Sequence, residues 1–219
     1  MERGRSSKNQ GSAKTTKSST GNTRSTGSKA GSTAGRAGSK GTTGKKDNQS
    51  LLKEFFVEQL QDIYWAEKHL VKELPKLQKA ATSEDVISAL EEHTSITEEQ
   101  VARLEEVFEM MEETAKAKKC EAMEGLTKEA HTVIEDTEDG SATRDVAIIM
   151  AAQKVEHYEI ATYGSLVQLA KTLGQTDVAE LLQQTLEEEK EADVLLTDIA
   201  ESYVNEAGAQ EEGNEGEEE

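Results

Sequence analysis

Two glutamates three residues apart, Glu156 and Glu159, are the residues of this sequence whose placement most demands a chemical explanation. Helical periodicity puts both on one face of a predicted helix, together with apolar neighbours such as Val155, Tyr163 and Leu166. An uncompensated buried carboxylate costs on the order of several kcal/mol. The pair therefore predicts a bound metal, a shared proton or a basic partner.

Each of the other three predicted helices also carries a metal-binding residue type on its apolar face. The first helix offers Glu67 and the second offers His93. The fourth offers Glu189, with Asp193 one turn later. The predicted ligand set is Glu67, His93, Glu156, Glu159, Glu189 and Asp193.

Carboxylates with one imidazole suit a pair of iron or manganese ions, because bridging carboxylates neutralise and hold two adjacent cations. Zinc is less suited, since the set is rich in oxygen and Cys120 is the only cysteine of the chain. Each residue taken alone has a plainer interpretation, a solvated glutamate or a hydrogen-bonded core histidine. The agreement of four helices favours a dinuclear iron or manganese centre, with no residue assigned a catalytic role.

Four nearby residues receive other interpretations. Glu188 is an alternative ligand on the fourth helix. His157 points about 100° away from its neighbouring glutamate and is interpreted as an interface or supporting residue. His69 and His131 are predicted to face solvent.

An all-helical domain must position these residues. Helix-forming residues dominate from Leu51 to about Asn205, Pro75 is the only proline, and apolar residues recur every three or four positions. Four long helices are predicted over residues 50–81, 83–117, 142–173 and 176–203. Ser83 is suited to cap the second helix, the third follows Gly140 and Ser141, and Gly174 is suited to end it.

The connection between the second and third predicted helices is about 25 residues long and holds a segment, 120–126, suited to a short helix. A four-helix bundle with a long connection at this point is typical of ferritin-like folds, whereas simple up-down bundles use short loops. The predicted fold is therefore all-α, a ferritin-like four-helix bundle with short helices in the crossover from helix 2 to helix 3.

The charge of the chain is distributed unevenly. The net charge is −19, yet the first fifty residues hold 11 Lys and Arg against Glu2 and Asp47, which leaves 14 basic and 42 acidic residues for the remainder. Residues 1–49 are rich in Ser, Thr, Gly and Lys and lack apolar surface, so they predict a disordered basic arm. The predicted bundle covers 50–205, and 206–219 is predicted to be a disordered acidic tail.

The basic arm could hold DNA weakly and without sequence preference through counterion release, or it could be a solvated tail. No stretch reaches the roughly 18 apolar residues of a membrane span, and the N-terminus lacks the apolar region of a signal peptide. The expectation is a cytoplasmic protein with no membrane contact.

Four segments resemble the YciE/YciF family of bacterial ferritin-like proteins: LQDIYWAEK at 60–68, CEAMEGLTKE at 120–129, AAQKVEHYEIATYG at 151–164 and TLEEEKEAD at 185–193. The resemblance covers nearly all of residues 51–205. It implies a bundle that is commonly a homodimer, a dinuclear metal site similar to that of rubrerythrins, and an association with stress responses. The ligands that it implies are the same six residues, with Asp193 the least firmly matched.

The sequence departs from the family pattern three residues after His93, where the resemblance implies Glu or Gln and this chain has Ile96. A metal-binding carboxylate is therefore missing from the second helix. One metal position would be weakened, a single ion would be held, or water would complete the site.

Three functions fit the sequence. The first is a stress-response protein that handles iron or peroxide at a dinuclear iron or manganese site, with ferroxidase-like or peroxidase-like activity. The second is a non-enzymatic structural or DNA-associated stress protein with a degraded site. In the third, the buried carboxylates only pair with Lys154 or Lys190 or share protons.

Overall fold

Helices account for nearly all of the described chain. The computed structural model describes residues 50–211, so the predicted basic arm and residues 212–219 of the predicted acidic tail lie outside the described residues. The helices are α1 (Leu51–Ala80), α2 (Glu84–Met110), α3 (Glu121–Glu135), α4 (Ala142–Thr172), α5 (Thr176–Ile199), a π-helical turn (Ala200–Val204) and α6 (Asn205–Gln210). The all-α fold class predicted from the sequence is confirmed.

Four long helices, α1, α2, α4 and α5, form the bundle. The closest pairings are α1 with α2 and α4 with α5, and α2 then packs on α5 while α1 packs on α4. Helix α3 lies in the long crossover and covers α1 and α4. The core between these helices is closely packed with aliphatic and aromatic side chains, including the fully buried Phe56, Phe108 and Tyr163.

Local signals explain where the helices begin. The hydroxyl of Ser50 accepts the N–H of Lys53 at 3.2 Å and caps α1, and Ser141 caps α4 in the same way through the N–H of Arg144 at 3.1 Å. Cys120 caps α3, because its thiol sulfur accepts the N–H of Met123 at 3.4 Å.

Helix α2 is shorter than predicted and ends at Met110 rather than at residue 117. The residue after its C-cap, Glu112, adopts φ 57°, and the N–H of Glu113 returns to the carbonyl of Phe108 at 2.9 Å. This left-handed termination closes the helix, although the helix-forming residues that follow it would allow it to continue. The chain then runs beside α1, where the N–H of Lys118 donates to the carbonyl of Gln61 at 2.9 Å.

The C-terminal end is longer than predicted. Helical structure continues through the π-helical turn and α6 to Gln210, beyond the predicted bundle end at 205. The carboxylate of Glu211 then accepts the backbone N–H groups of Ala142 at 3.0 Å and Thr143 at 2.9 Å, at the start of α4. Residues 206–211, predicted to be mobile, therefore close onto α4 because a carboxylate satisfies donors that a helix start leaves unpaired.

None of the helices within residues 50–211 combines the length and apolar character that a membrane crossing requires.

Candidate metal centre

The interior of the bundle holds a cluster of ionisable side chains, one or two from each long helix. Spacing of three residues along α4 turns Glu156 and Glu159 to the same side, and both are 1% exposed. Glu67 of α1 and Glu189 of α5 have no exposed surface, and His93 of α2 is 7% exposed. These five predicted ligands are therefore brought together in the core.

The distances within the cluster are short. His93 Nε2 lies 3.4 Å from Glu156 Oε1 and 3.9 Å from Glu189 Oε2. One ligand atom from each of His93, Glu156, Glu159 and Glu189 lies within 4.8 Å of the others. Glu67 adjoins Glu159 and accepts a hydrogen bond from the hydroxyl of Tyr163 at 2.5 Å. The geometry is that of ligands facing a common centre.

Asp193, the sixth predicted ligand, is not part of this inner group. It is half-buried at the edge of the cluster, where its Oδ1 accepts from Gln153 Nε2 at 3.3 Å and lies 3.4 Å from His157 Nε2. Asp193 follows Glu189 by four residues, which turns it about 40° further around α5. That rotation directs it toward α4 and His157, which is itself largely exposed.

Burial shifts the proton affinities of the whole cluster. Desolvation, with Glu189 adding its negative charge, raises the pKa of Glu67 to about 8, and desolvation raises the pKa of Glu189 to about 7. The pKa values of Glu156 and Glu159 are raised well above their ordinary value, first by burial and then by neighbouring carboxylates. Burial lowers the pKa of His93 to about 4, so its imidazole is neutral at physiological pH.

The hydrogen bonding of the cluster is incomplete. Within residues 50–211, every buried side-chain nitrogen or oxygen that lacks a hydrogen-bond partner belongs to one of the five ligands or to Gln100, which contacts Glu189. These atoms are Glu67 Oε2, His93 Nδ1, Gln100 Oε1, Glu156 Oε2, both Glu159 carboxylate oxygens and Glu189 Oε2. Unpaired buried polar atoms are costly, so their concentration in one place fits a site completed by a cation.

Neither lysine considered as a partner for the buried carboxylates reaches them. Lys154 pairs with Glu129 at the surface, and Lys190 pairs with Glu187 at 2.9 Å, also at the surface. The interpretation in which these lysines neutralise the buried glutamates is therefore wrong. Arg103 is instead the basic residue beside this group, and it makes a bidentate pair with Glu188, outside the inner ligands, at 2.7 and 2.8 Å.

Sequence reasoning missed Gln100. Its side chain has no exposed surface, and its Nε2 donates to Glu189 Oε1 at 2.5 Å and to Glu188 Oε2 at 3.2 Å. Glu188, the alternative ligand, is held by Gln100 and by Arg103 outside the inner group. The spacing of seven residues from His93 puts Gln100 on the same face of α2, and this signal was present in the sequence.

Two other histidines lie outside the site and are only partly exposed, each with a partner on another helix, whereas both were predicted to face solvent. His69 is half-buried, stacks on Trp65 with ring centroids 4.6 Å apart, and lies 2.9 Å from the hydroxyl of Thr127. His131 lies 2.6 Å from Glu73 Oε2. Both join α1 to α3, and this crossover contact could not be read from the sequence.

These features define a helical bundle of the ferritin-like class, with a buried group of one histidine and several glutamates that could hold a metal ion. The chain belongs to the DUF892 family, described as a domain of unknown function, which matches residues 51–209.

Relatives agree with this assignment. Protein YciF of Escherichia coli strain K12 is 48% identical over 160 residues, which are 72% of this chain and 95% of that protein. The crystal structure of the E. coli stress protein YciF matches with a TM-score of 0.68 at 46% identity, covering 72% of this chain and 99% of that one. YcfI of Rhodopseudomonas palustris matches with a TM-score of 0.66 at 37% identity, covering 70% and 96%. The resemblance to the YciE/YciF family is confirmed.

Proposed function

We propose that this protein is a ferritin-like stress protein that holds a dinuclear iron centre, or a manganese centre, and handles iron or peroxide. The observation that carries the proposal is the set of unpaired buried atoms on the five converging ligands. A protein that only needed a stable core would fill this space with apolar side chains, because buried charge without compensation destabilises the fold.

The donor set supports iron or manganese over zinc. Four carboxylates and one neutral imidazole are an oxygen-rich set with no thiolate nearby. Ligand atoms of His93, Glu156, Glu159 and Glu189 all lie within 4.8 Å of one another, close enough to face a common metal site. With Glu67 beside Glu159, the site offers four carboxylates, which would suit two divalent cations.

The chain's own residues have distinct roles in this proposal. Glu67, His93, Glu156, Glu159 and Glu189 hold the ions, and the hydroxyl of Tyr163 fixes the orientation of Glu67. Gln100 fixes Glu189 from the side of α2. Bound iron would supply the capacity to exchange electrons with dioxygen or peroxide, and buried apolar side chains surround most of the site.

The test is metal analysis of the purified protein combined with the kinetics of Fe(II) oxidation in air. The wild type is expected to bind close to two iron ions per chain and to accelerate oxidation. Glu159→Ala is expected to lose both properties, whereas Glu180→Gln, an exposed glutamate of α5, is expected to keep them. A wild-type protein that binds no iron or manganese would contradict the proposal.

Ile96 favours a second candidate function. The position that the family resemblance assigns to Glu or Gln holds an aliphatic side chain, which provides no ligand. A site weakened in this way would suit a non-enzymatic stress protein that uses its basic arm to contact DNA.

Retention of DNA across a salt series tests this second candidate. The full chain would be compared with a full-length variant in which the arm's 11 Lys and Arg are replaced by Ser. Loss of retention in the variant, with a steep salt dependence in the wild type, is expected if the arm is the contact. Equal weak retention by both proteins would exclude that role.

A further inference from the structure

A cavity of about 190 Å³ opens between α2 and α5 and reaches the inner ligand group. His93 and Glu156 line its inner end. Glu67 and Glu159 do not line it, and the hydroxyl of Tyr163 donates to Glu67. The cavity therefore serves one end of the site.

The outer part of the cavity is acidic. Glu92 of α2 and Glu191 of α5 line it from facing helices, and both residues are exposed. No lysine or arginine is among the residues that line the cavity in the described part of the chain. Carboxylates on both sides of a low-dielectric opening concentrate cations and repel anions.

The rest of the lining is apolar except for Glu188, whose carboxylate is held in a bidentate pair by Arg103. Ile96 stands on the α2 side, and Ala192 and Leu195 stand on the α5 side. These three side chains cannot coordinate a cation, and Glu188 is occupied by Arg103, so the free ligands that an ion would meet lie at the inner end. Two buried atoms there, His93 Nδ1 and Glu156 Oε2, have no hydrogen-bond partner.

We propose that this cavity is the passage through which a hydrated divalent cation reaches the metal centre. The inference rests on the proposed function and adds the route and the form of the incoming ion. Glu92 and Glu191 attract the ion, the apolar walls leave it mobile, and His93 with Glu156 replaces its water ligands. Ile96 contributes an apolar wall at a position where a carboxylate would hold the ion within the passage.

The experiment measures the rate at which the metal-free, full-length protein takes up Co²⁺, followed by stopped-flow absorbance. The double variant Glu92→Gln with Glu191→Gln is expected to take up Co²⁺ about 10-fold more slowly at low ionic strength, with a weaker salt dependence than the wild type. The amount bound at equilibrium is expected to stay the same, because neither residue belongs to the inner ligand group.

The matched control is Glu106→Gln with Glu180→Gln, which removes the same charge from exposed positions on the same two helices outside the cavity. This control is expected to take up Co²⁺ at nearly the wild-type rate. A second variant, Ile96→Trp, would fill the passage and is expected to slow uptake and release together at unchanged stoichiometry.

The outcomes separate the two proposals. If the double variant Glu92→Gln with Glu191→Gln and the variant Ile96→Trp both take up Co²⁺ at the wild-type rate, the proposed passage is overturned. The proposed metal centre would not be affected by that result. An equal slowing by the control variant would also overturn the passage, because the effect would then come from overall charge. A wild type that binds no Co²⁺, Fe²⁺ or Mn²⁺ would overturn the proposed function and the passage with it.

Discussion

Gln100 shows how a neutral side chain can organise a group of buried carboxylates. Its Nε2 donates to both Glu188 and Glu189, and this leaves its carbonyl oxygen buried without a partner. Arg103 holds Glu188 from the other side and also donates to the hydroxyl of Thr185 at 2.7 Å. The orientation of Glu189 therefore depends on a chain of contacts that begins at the surface of α2.

The variant Gln100→Leu tests this dependence. Loss of the donor leaves Glu189 free to turn away from His93, and loss of a supporting hydrogen bond typically costs about 10- to 100-fold in metal affinity. Competition with a chromogenic chelator for Mn²⁺ or Co²⁺ would measure the change. Gln168→Leu, at an exposed position of α4, is the control and is expected to leave the affinity unaltered.

An unchanged affinity in Gln100→Leu, with a normal far-UV spectrum, would show that Glu189 is oriented by other contacts.

At this scale the sequence predicted residue types better than their orientations. Glu156 and Glu159 were placed correctly on the inner face, because the residues before and after them on that face of the helix are apolar. Asp193 was predicted to be a ligand, yet it lies at the edge of the inner group. Its side chain contacts Gln153 and His157, which are distant from it in sequence. Gln100 was missed because an amide on an apolar face carries no charge that must be compensated, and its contact with Glu189 joins residues distant in sequence.

At the scale of the helices, periodicity was sufficient to predict four long elements but not all of their ends. Helix starts with Ser50 and Ser141 follow local capping rules. The end of α2 depends on the left-handed residue Glu112 and on the contact of Lys118 with α1, so local propensity favoured too long a helix. The C-terminal extension depends on Glu211 meeting α4, which no local pattern indicates.

The variant Glu211→Ala tests the contact between the chain end and α4. The carboxylate accepts from Ala142, Thr143 and the Thr143 hydroxyl, and these bonds hold the pKa of Glu211 below its ordinary value. Its loss is expected to speed amide exchange in the first turn of α4 and throughout α6. Hydrogen–deuterium exchange measures this, with the exposed Glu201→Ala as the control.

Protection of α6 that survives Glu211→Ala would contradict the role of the cap. It would assign the order of α6 to packing on α4 instead, where Gly208 lies so close to Val146 that a Cβ atom added at this glycine would be 3.3 Å from that side chain.

At the scale of the whole molecule, the buried glutamates make stability depend on pH in an unusual direction. The unfolded chain releases its glutamate protons near pH 4.5, whereas folded, metal-free protein keeps those of Glu67 and Glu189 until about pH 8 and pH 7. The folded state then binds more protons, so the free energy of unfolding falls as pH rises through this window. For each proton that only the folded state retains, the free energy of unfolding falls by about 1 kcal/mol per pH unit.

His93 acts in the opposite direction, because its pKa is lowered to about 4 from an ordinary 6.5. Its effect on stability fades above pH 6.5, so the buried glutamates dominate the pH dependence between pH 6.5 and 8. Urea denaturation of chelator-treated protein is expected to show lower stability at pH 8 than at pH 6.5. Added Mn²⁺ is expected to remove this loss, because metal binding requires the deprotonated ligands.

The double variant Glu67→Gln with Glu189→Gln is the control for this measurement and is expected to show a flatter pH dependence when metal-free. Stability that rises from pH 6.5 to pH 8 in the metal-free wild type would contradict the assignment of the raised pKa values.

Homodimer formation stays a prediction, for which analytical ultracentrifugation of the full chain is the measurement.

The contact between Glu211 and the start of α4 also bears on where this domain ends. The family match stops at residue 209, two positions before the carboxylate that satisfies the first N–H groups of α4. A chain that ended at residue 209 would lack Glu211, so the first N–H groups of α4 would lose their hydrogen-bond acceptor. It would also shorten α6. The folding unit is therefore slightly longer than the segment by which its relatives are recognised, and a C-terminal fusion is best joined beyond residue 211.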